Sequence, residues 1–106
     1  MEKRRLGSTE LQVPTVGMGT WKTFDVRGER ALHKARSIVD TALASDANFF
    51  DSSPMYGAAE SVLSETLRGR RNKVLVATKV WASARSEGQA QMQHALQFFD
   101  NYIDLY

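Results

Sequence analysis

Three side chains stand out for the chemistry they could share: Asp51, Tyr56 and Lys79. Ala47 to Phe50 is a short apolar, aromatic run, Pro54 and Gly57 mark a turn after it, and apolar residues then recur at helical spacing. Asp51 therefore falls where a buried strand emerges, and Tyr56 falls just ahead of a helix. Lys79 ends a later apolar run, Val74 to Thr78, at the position matching Asp51 on the run before it. A lysine at the end of a buried strand is costly unless paired, and Asp51 offers the pairing. A phenol beside an ammonium group becomes a better proton donor, because the cation stabilises phenolate. Such a phenol can protonate a carbonyl oxygen as hydride arrives at the carbon. The plainer reading keeps Asp51 and Lys79 as a structural ion pair. Trp21 and Trp81 are open to two readings as well, an apolar wall for a substrate or ordinary core and rim aromatics.

The elements that must position these residues follow in order along the chain. Lys3 to Leu6 and Leu11 to Val13 flank Gly7-Ser8-Thr9-Glu10 and predict a hairpin over residues 1–14, closed by Pro14. Thr15 to Trp21 reads as a strand whose two glycines leave room for a close backbone or ligand approach. Glu29 to Ala44 is a helix, because Ala31, Leu32, Ala35, Ile38, Val39, Ala42 and Leu43 share one stripe. His33 lies off that stripe and reads as surface. The helix after Tyr56 should end near Gly69, Ser86 with Gln89 resembles a capping box opening a third helix, and Tyr102 to Tyr106 begins a fourth strand. His94 falls on the polar side of that third helix.

Strands recurring about every thirty residues have the spacing of βαβ units, so residues 15–106 predict a parallel βαβαβαβ array. Right-handed crossovers place the C-terminal ends of parallel strands on one side, which gathers Thr20, Trp21, Asp51, Tyr56 and Lys79. Ligands of α/β sheets bind on that side. Gly17-Met18-Gly19-Thr20-Trp21 lacks the third glycine of a dinucleotide-binding fingerprint.

Composition narrows the function classes. The 106 residues, 42% hydrophobic and 25% charged, suit one globular domain and not two. A net charge of +2 with scattered basic residues is no nucleic-acid footprint, and Lys3-Arg4-Arg5 and Arg68-Gly69-Arg70-Arg71 read as solvated element ends. The absence of cysteine excludes disulfides and thiolate metal sites and fits a cytoplasmic home. No signal peptide or membrane span is expected, since no apolar run approaches twenty residues.

Asp51-Ser52-Ser53-Pro54-Met55-Tyr56-Gly57 with Glu60, and Ala77-Thr78-Lys79-Val80, resemble the N-terminal half of an aldo-keto reductase. Gly17 to Trp21 and Tyr102 to Tyr106 are similar to that family's first and fourth strands, and Lys3 to Val13 to its N-terminal hairpin. The resemblance implies the first half of a (β/α)8 barrel, NADPH as hydride donor, and an Asp, Tyr, Lys, His tetrad of which Asp51, Tyr56 and Lys79 match. It also implies that Thr20, Trp21 and Asp51 line the nicotinamide-ribose end of the cofactor site. The tetrad's histidine would lie just beyond Tyr106, and neither His33 nor His94 stands in a position to replace it. The expectation is thus a reductase of aldehydes or ketones, present as a truncated N-terminal segment inactive alone. The alternatives are a non-catalytic half-barrel remnant or regulatory subunit, and a small α/β domain with a structural ion pair. Open barrel edges, with Val74, Val76, Phe49 or Phe50 and Ile103 turned to water, predict self-association.

Overall fold

The computed structural model describes residues 1–106. It opens on the expected hairpin, β1 (Lys3–Arg5) antiparallel to β2 (Gln12–Pro14). Pro14 is the last residue of β2, opposite Lys3, where a strand's end tolerates its missing N–H. The chain then forms β3 (Met18–Gly19), α1 (Glu29–Ala44), β4 (Phe49–Asp51), α2 (Ala59–Thr66), β5 (Leu75–Ala77) and α3 (Arg85–Phe98). No helix is long and apolar enough to cross a membrane.

The three inner strands form a parallel sheet in the order β3-β4-β5, with Met18, Phe50 and Val76 abreast and Gly19, Asp51 and Ala77 abreast. Asp51 therefore stands opposite Ala77, and Lys79, which the sequence pattern set at the position matching Asp51, lies two residues further along, past the end of β5. Regular pairing of β3 is only two residues long, because Thr15 N–H bonds back to the Glu2 carbonyl at 3.0 Å and Gly17 lies hard against β4. A Cβ on Gly17 would stand 2.8 Å from the Phe49 carbonyl oxygen, so that glycine serves a close backbone approach.

Two expectations are corrected here. The fourth strand is a single parallel bridge, Ala77 to Leu105. The Val76 N–H that could extend it donates instead to Asp104 Oδ2 at 2.8 Å, and the Arg71 guanidinium takes the Tyr102 and Phe99 carbonyls, so side chains replace the ladder. The capping box at Ser86 does not form either: α3 begins at Arg85, Ala84 takes the extended cap conformation, and Ser86 sits inside the first turn.

Helical amphipathicity decides which face of the sheet is covered. Val39 of α1 and Leu63 of α2 meet Phe50, Val76, Phe24, Leu67 and Phe99 in one core, all at most 1% exposed. Phe50 and Val76 thus point toward the helices, each contributing about 1.5–3 kcal/mol of burial. Val74 is buried there too, so three of the side chains expected to face water are core residues. Because side chains alternate along a strand, Phe49 and Leu75, both half-buried, occupy the opposite face. The molecule is a slab of 41 × 39 × 22 Å, and its sheet does not close on itself.

Candidate active site

Past the C-terminal ends of β3, β4 and β5 the ladder thins and side chains take over. The Ser52 N–H donates to the Ala77 carbonyl at 2.8 Å, holding β4 and β5 together one residue beyond Asp51. The Thr20 N–H and hydroxyl both donate to the Asp51 carbonyl, at 3.1 and 2.9 Å, and the same hydroxyl lies 2.9 Å from Ser52 Oγ. Thr20, Ser52 and Ser53 are at most 1% exposed, so this polar knot is internal and rigid. The Thr20 hydroxyl is fully committed to it.

Lys79 projects over the knot. Its Nζ donates to Asp51 Oδ1 at 3.0 Å and to the Ser52 carbonyl at 2.5 Å. It also lies 5.3 Å from the centroid of the Tyr56 ring, as a cation over a π face and not as a hydrogen-bond partner of the phenol. Trp21 completes the cluster, its ring 6.4 Å from that of Tyr56 and tilted by 40°. The structure therefore brings Thr20, Trp21, Asp51, Tyr56 and Lys79 together. The Asp51 and Lys79 side chains keep 45% and 39% of their surface exposed. At that exposure a pair is worth at most about 1 kcal/mol, so its effect falls on orientation more than on stability.

Trp81 is placed elsewhere. Its N–H and carbonyl exchange two 2.8 Å bonds with the Gln91 amide of α3, and it borders a depression with Val80, Ala82, Ser83 and Glu87. Both His33 and His94 are exposed.

Residues that the spacing did not single out hold the site in place. Ser53 makes the turn that sets Tyr56, its carbonyl accepting the Tyr56 N–H at 3.1 Å and its hydroxyl the Met55 N–H at 3.2 Å. Asp25 accepts the Ala58 N–H at 2.9 Å and caps α2 from 33 residues away. Gly57 makes that reach possible: it is left-handed, with φ 58°, and a Cβ there would stand 2.3 Å from Asp25 Oδ1. A capping acid this remote leaves no local sequence signal, though the glycine ahead of the helix does. Under the sheet, Glu60 of α2 is 6% exposed and accepts the Thr78 hydroxyl at 2.7 Å. Burial pushes its carboxyl above the usual carboxylate range, against the Thr78 hydrogen bond and the positive charges of Lys79 and His94.

The profile of the aldo/keto reductase family matches residues 15–106. The chain belongs to that family. An uncharacterized oxidoreductase of Bacillus subtilis (strain 168) is 29% identical across all of this chain and 38% of its own length. Pyridoxal 4-dehydrogenase of Microbacterium luteolum is 33% identical across 74% of this chain and 24% of its own. An aldo-keto reductase from Klebsiella pneumoniae, crystallised with NADPH, superposes with a TM-score of 0.80 over 97% of this chain and 37% of its own, at 22% identity. The chain thus spans well under half the length of these relatives, and its open sheet is the N-terminal portion of the family's barrel.

Proposed function

We propose that the chain contributes the proton-donating part of an NADPH-dependent reductase of small aldehydes or ketones, acting in the cytoplasm. The observation carrying this reading is the Lys79 ammonium fixed by Asp51 and the Ser52 carbonyl and laid over the Tyr56 ring. What supports NADPH is the Klebsiella pneumoniae relative, whose structure holds it, together with the residues present here. Asp51 offers a partly exposed carboxylate to ribose hydroxyls, and Trp21, 62% exposed, offers a face beside Tyr56. Thr20 serves this end through the loop it anchors.

When bound, the dihydronicotinamide supplies hydride to the carbonyl carbon. Tyr56 holds the proton that passes to the carbonyl oxygen, and the Lys79 charge stabilises the phenolate left behind. Asp51 keeps the ammonium in place through the exchange. The test is a chimaeric barrel in which residues 1–106 replace the matching portion of a family member. Tyr56→Phe in that barrel should lower turnover about 100- to 10,000-fold while NADPH affinity stays within a few-fold. An unchanged turnover number would remove Tyr56 from the chemistry.

A further inference from the structure

We propose that Glu60, acting through Thr78, is a positioning residue for Lys79. Thr78 and Lys79 are the first two residues beyond β5, where the ladder with β4 has run out. Successive side chains leave an extended chain on opposite faces, so Thr78 turns toward the helices while Lys79 turns toward the open side. On the helix side, Thr78 is 4% exposed and its hydroxyl donates to Glu60 Oε2 at 2.7 Å. Its N–H reaches the Leu105 carbonyl at 3.1 Å. On the open side, Lys79 Nζ bonds Asp51 and the Ser52 carbonyl. The Thr78–Glu60 bond is thus the side-chain tie that fixes the backbone from which Lys79 reaches.

The other end of that tie makes it specific to the site. Glu60 is the second residue of α2, and the turn leading into α2 carries Tyr56. One hydrogen bond therefore joins the element that holds the phenol to the strand end that holds the ammonium. It sets the separation between them, the 5.3 Å from Lys79 Nζ to the Tyr56 ring. A mere core contact could be made by any apolar pair of similar volume; a buried carboxylate costs more and fixes direction.

What Lys79 is for rests on the reductase reading, but the test does not use turnover. The five lysines, Lys3, Lys22, Lys34, Lys73 and Lys79, are acylated in the 106-residue chain, and the rate at Lys79 is taken relative to exposed Lys73 by peptide mass spectrometry. Thr78→Val should raise that ratio about three- to tenfold, the range of a net hydrogen bond, and Thr78→Ser should hold it at the parent value. Glu60→Leu should match the valine variant, and Glu60→Gln, which keeps an acceptor, the serine one. Because the other four lysines are already exposed, unfolding is read separately from the loss of helical circular dichroism; if a variant unfolds, the substitution pair at the other residue decides. A parent-like ratio in the folded Val or Leu variant, or no recovery with Ser or Gln, overturns the proposal. A chain without reductase activity would leave this result standing.

Discussion

Lys79, just past the end of β5, and Glu60, in α2 beneath it, are two ionisable residues with opposite accounts of their worth. The Lys79–Asp51 pair is two-fifths exposed, so Lys79→Met should change unfolding free energy by no more than about 1 kcal/mol in urea titrations. In the chimaeric barrel the same substitution should lower turnover far more than that figure implies. A loss of several kcal/mol of stability would return the pair to a structural role. Glu60 is buried, and its folded carboxyl holds its proton above the ordinary value of 4.5. The folded state therefore binds more protons than the unfolded state between that value and the raised one, and this group's contribution to stability falls as pH rises through that window. Above the window the penalty is constant. Glu60→Gln lacks the titration, so its stability minus that of the parent should climb as pH rises from 4.5 and then level off. A difference that is flat from pH 4 to 7 would show that burial does not perturb Glu60.

Among the elements, the return to the sheet after α3 depends on side chains to an unusual degree. Arg71, 4% exposed, donates to the Phe99, Val74 and Tyr102 carbonyls and to Asp104 Oδ2, with its guanidinium 3.8 Å from the Tyr102 ring centroid. Asp104 in turn accepts the Val76 N–H. Removing one partner of a buried pair leaves the other uncompensated, so Arg71→Met should destabilise by about 3–5 kcal/mol. Amide exchange should locate the loss, with Val76, Thr78 and Leu105 losing protection before the α1–α2 core does. Uniform loss across the chain would mean that Arg71 supports the whole fold and not the Leu105 bridge in particular.

The whole molecule has one covered and one bare sheet face. Helices bury Phe50, Val74 and Val76, whereas Phe49 and Leu75 are only half-buried and the outer sides of β3 and the Leu105 bridge carry no further strand. An open edge recruits other chains, so the isolated 106-residue polypeptide should self-associate, and it should bind NADPH poorly and reduce no carbonyl. Sedimentation and NADPH fluorescence titration test this directly. A monomer with micromolar affinity and measurable turnover would show these strands to be sufficient.

How much of this could be read from the chain follows from the range of the forces involved. Helix α1 matches Glu29 to Ala44 because a stripe of apolar side chains repeats within single turns, a local signal that needs no partner. The strand end at Asp51 was legible for the same kind of reason, since an apolar run that stops at a charge marks where a strand leaves the core, whereas β5 stops two residues short of Lys79. The side of the sheet to which Phe50 and Val76 turn was not legible: period-two alternation fixes which residues share a face, but only docking of α1 and α2 chooses the face that is covered. The fourth strand gave way to the Arg71–Asp104 network because Tyr102 to Tyr106 competes with side chains distant in sequence, which no window along the chain contains. Asp25 capping α2 and Glu60 receiving Thr78 are of that kind too. Residue type and spacing determined which groups could do chemistry here, and tertiary structure decided which neighbours hold them in place.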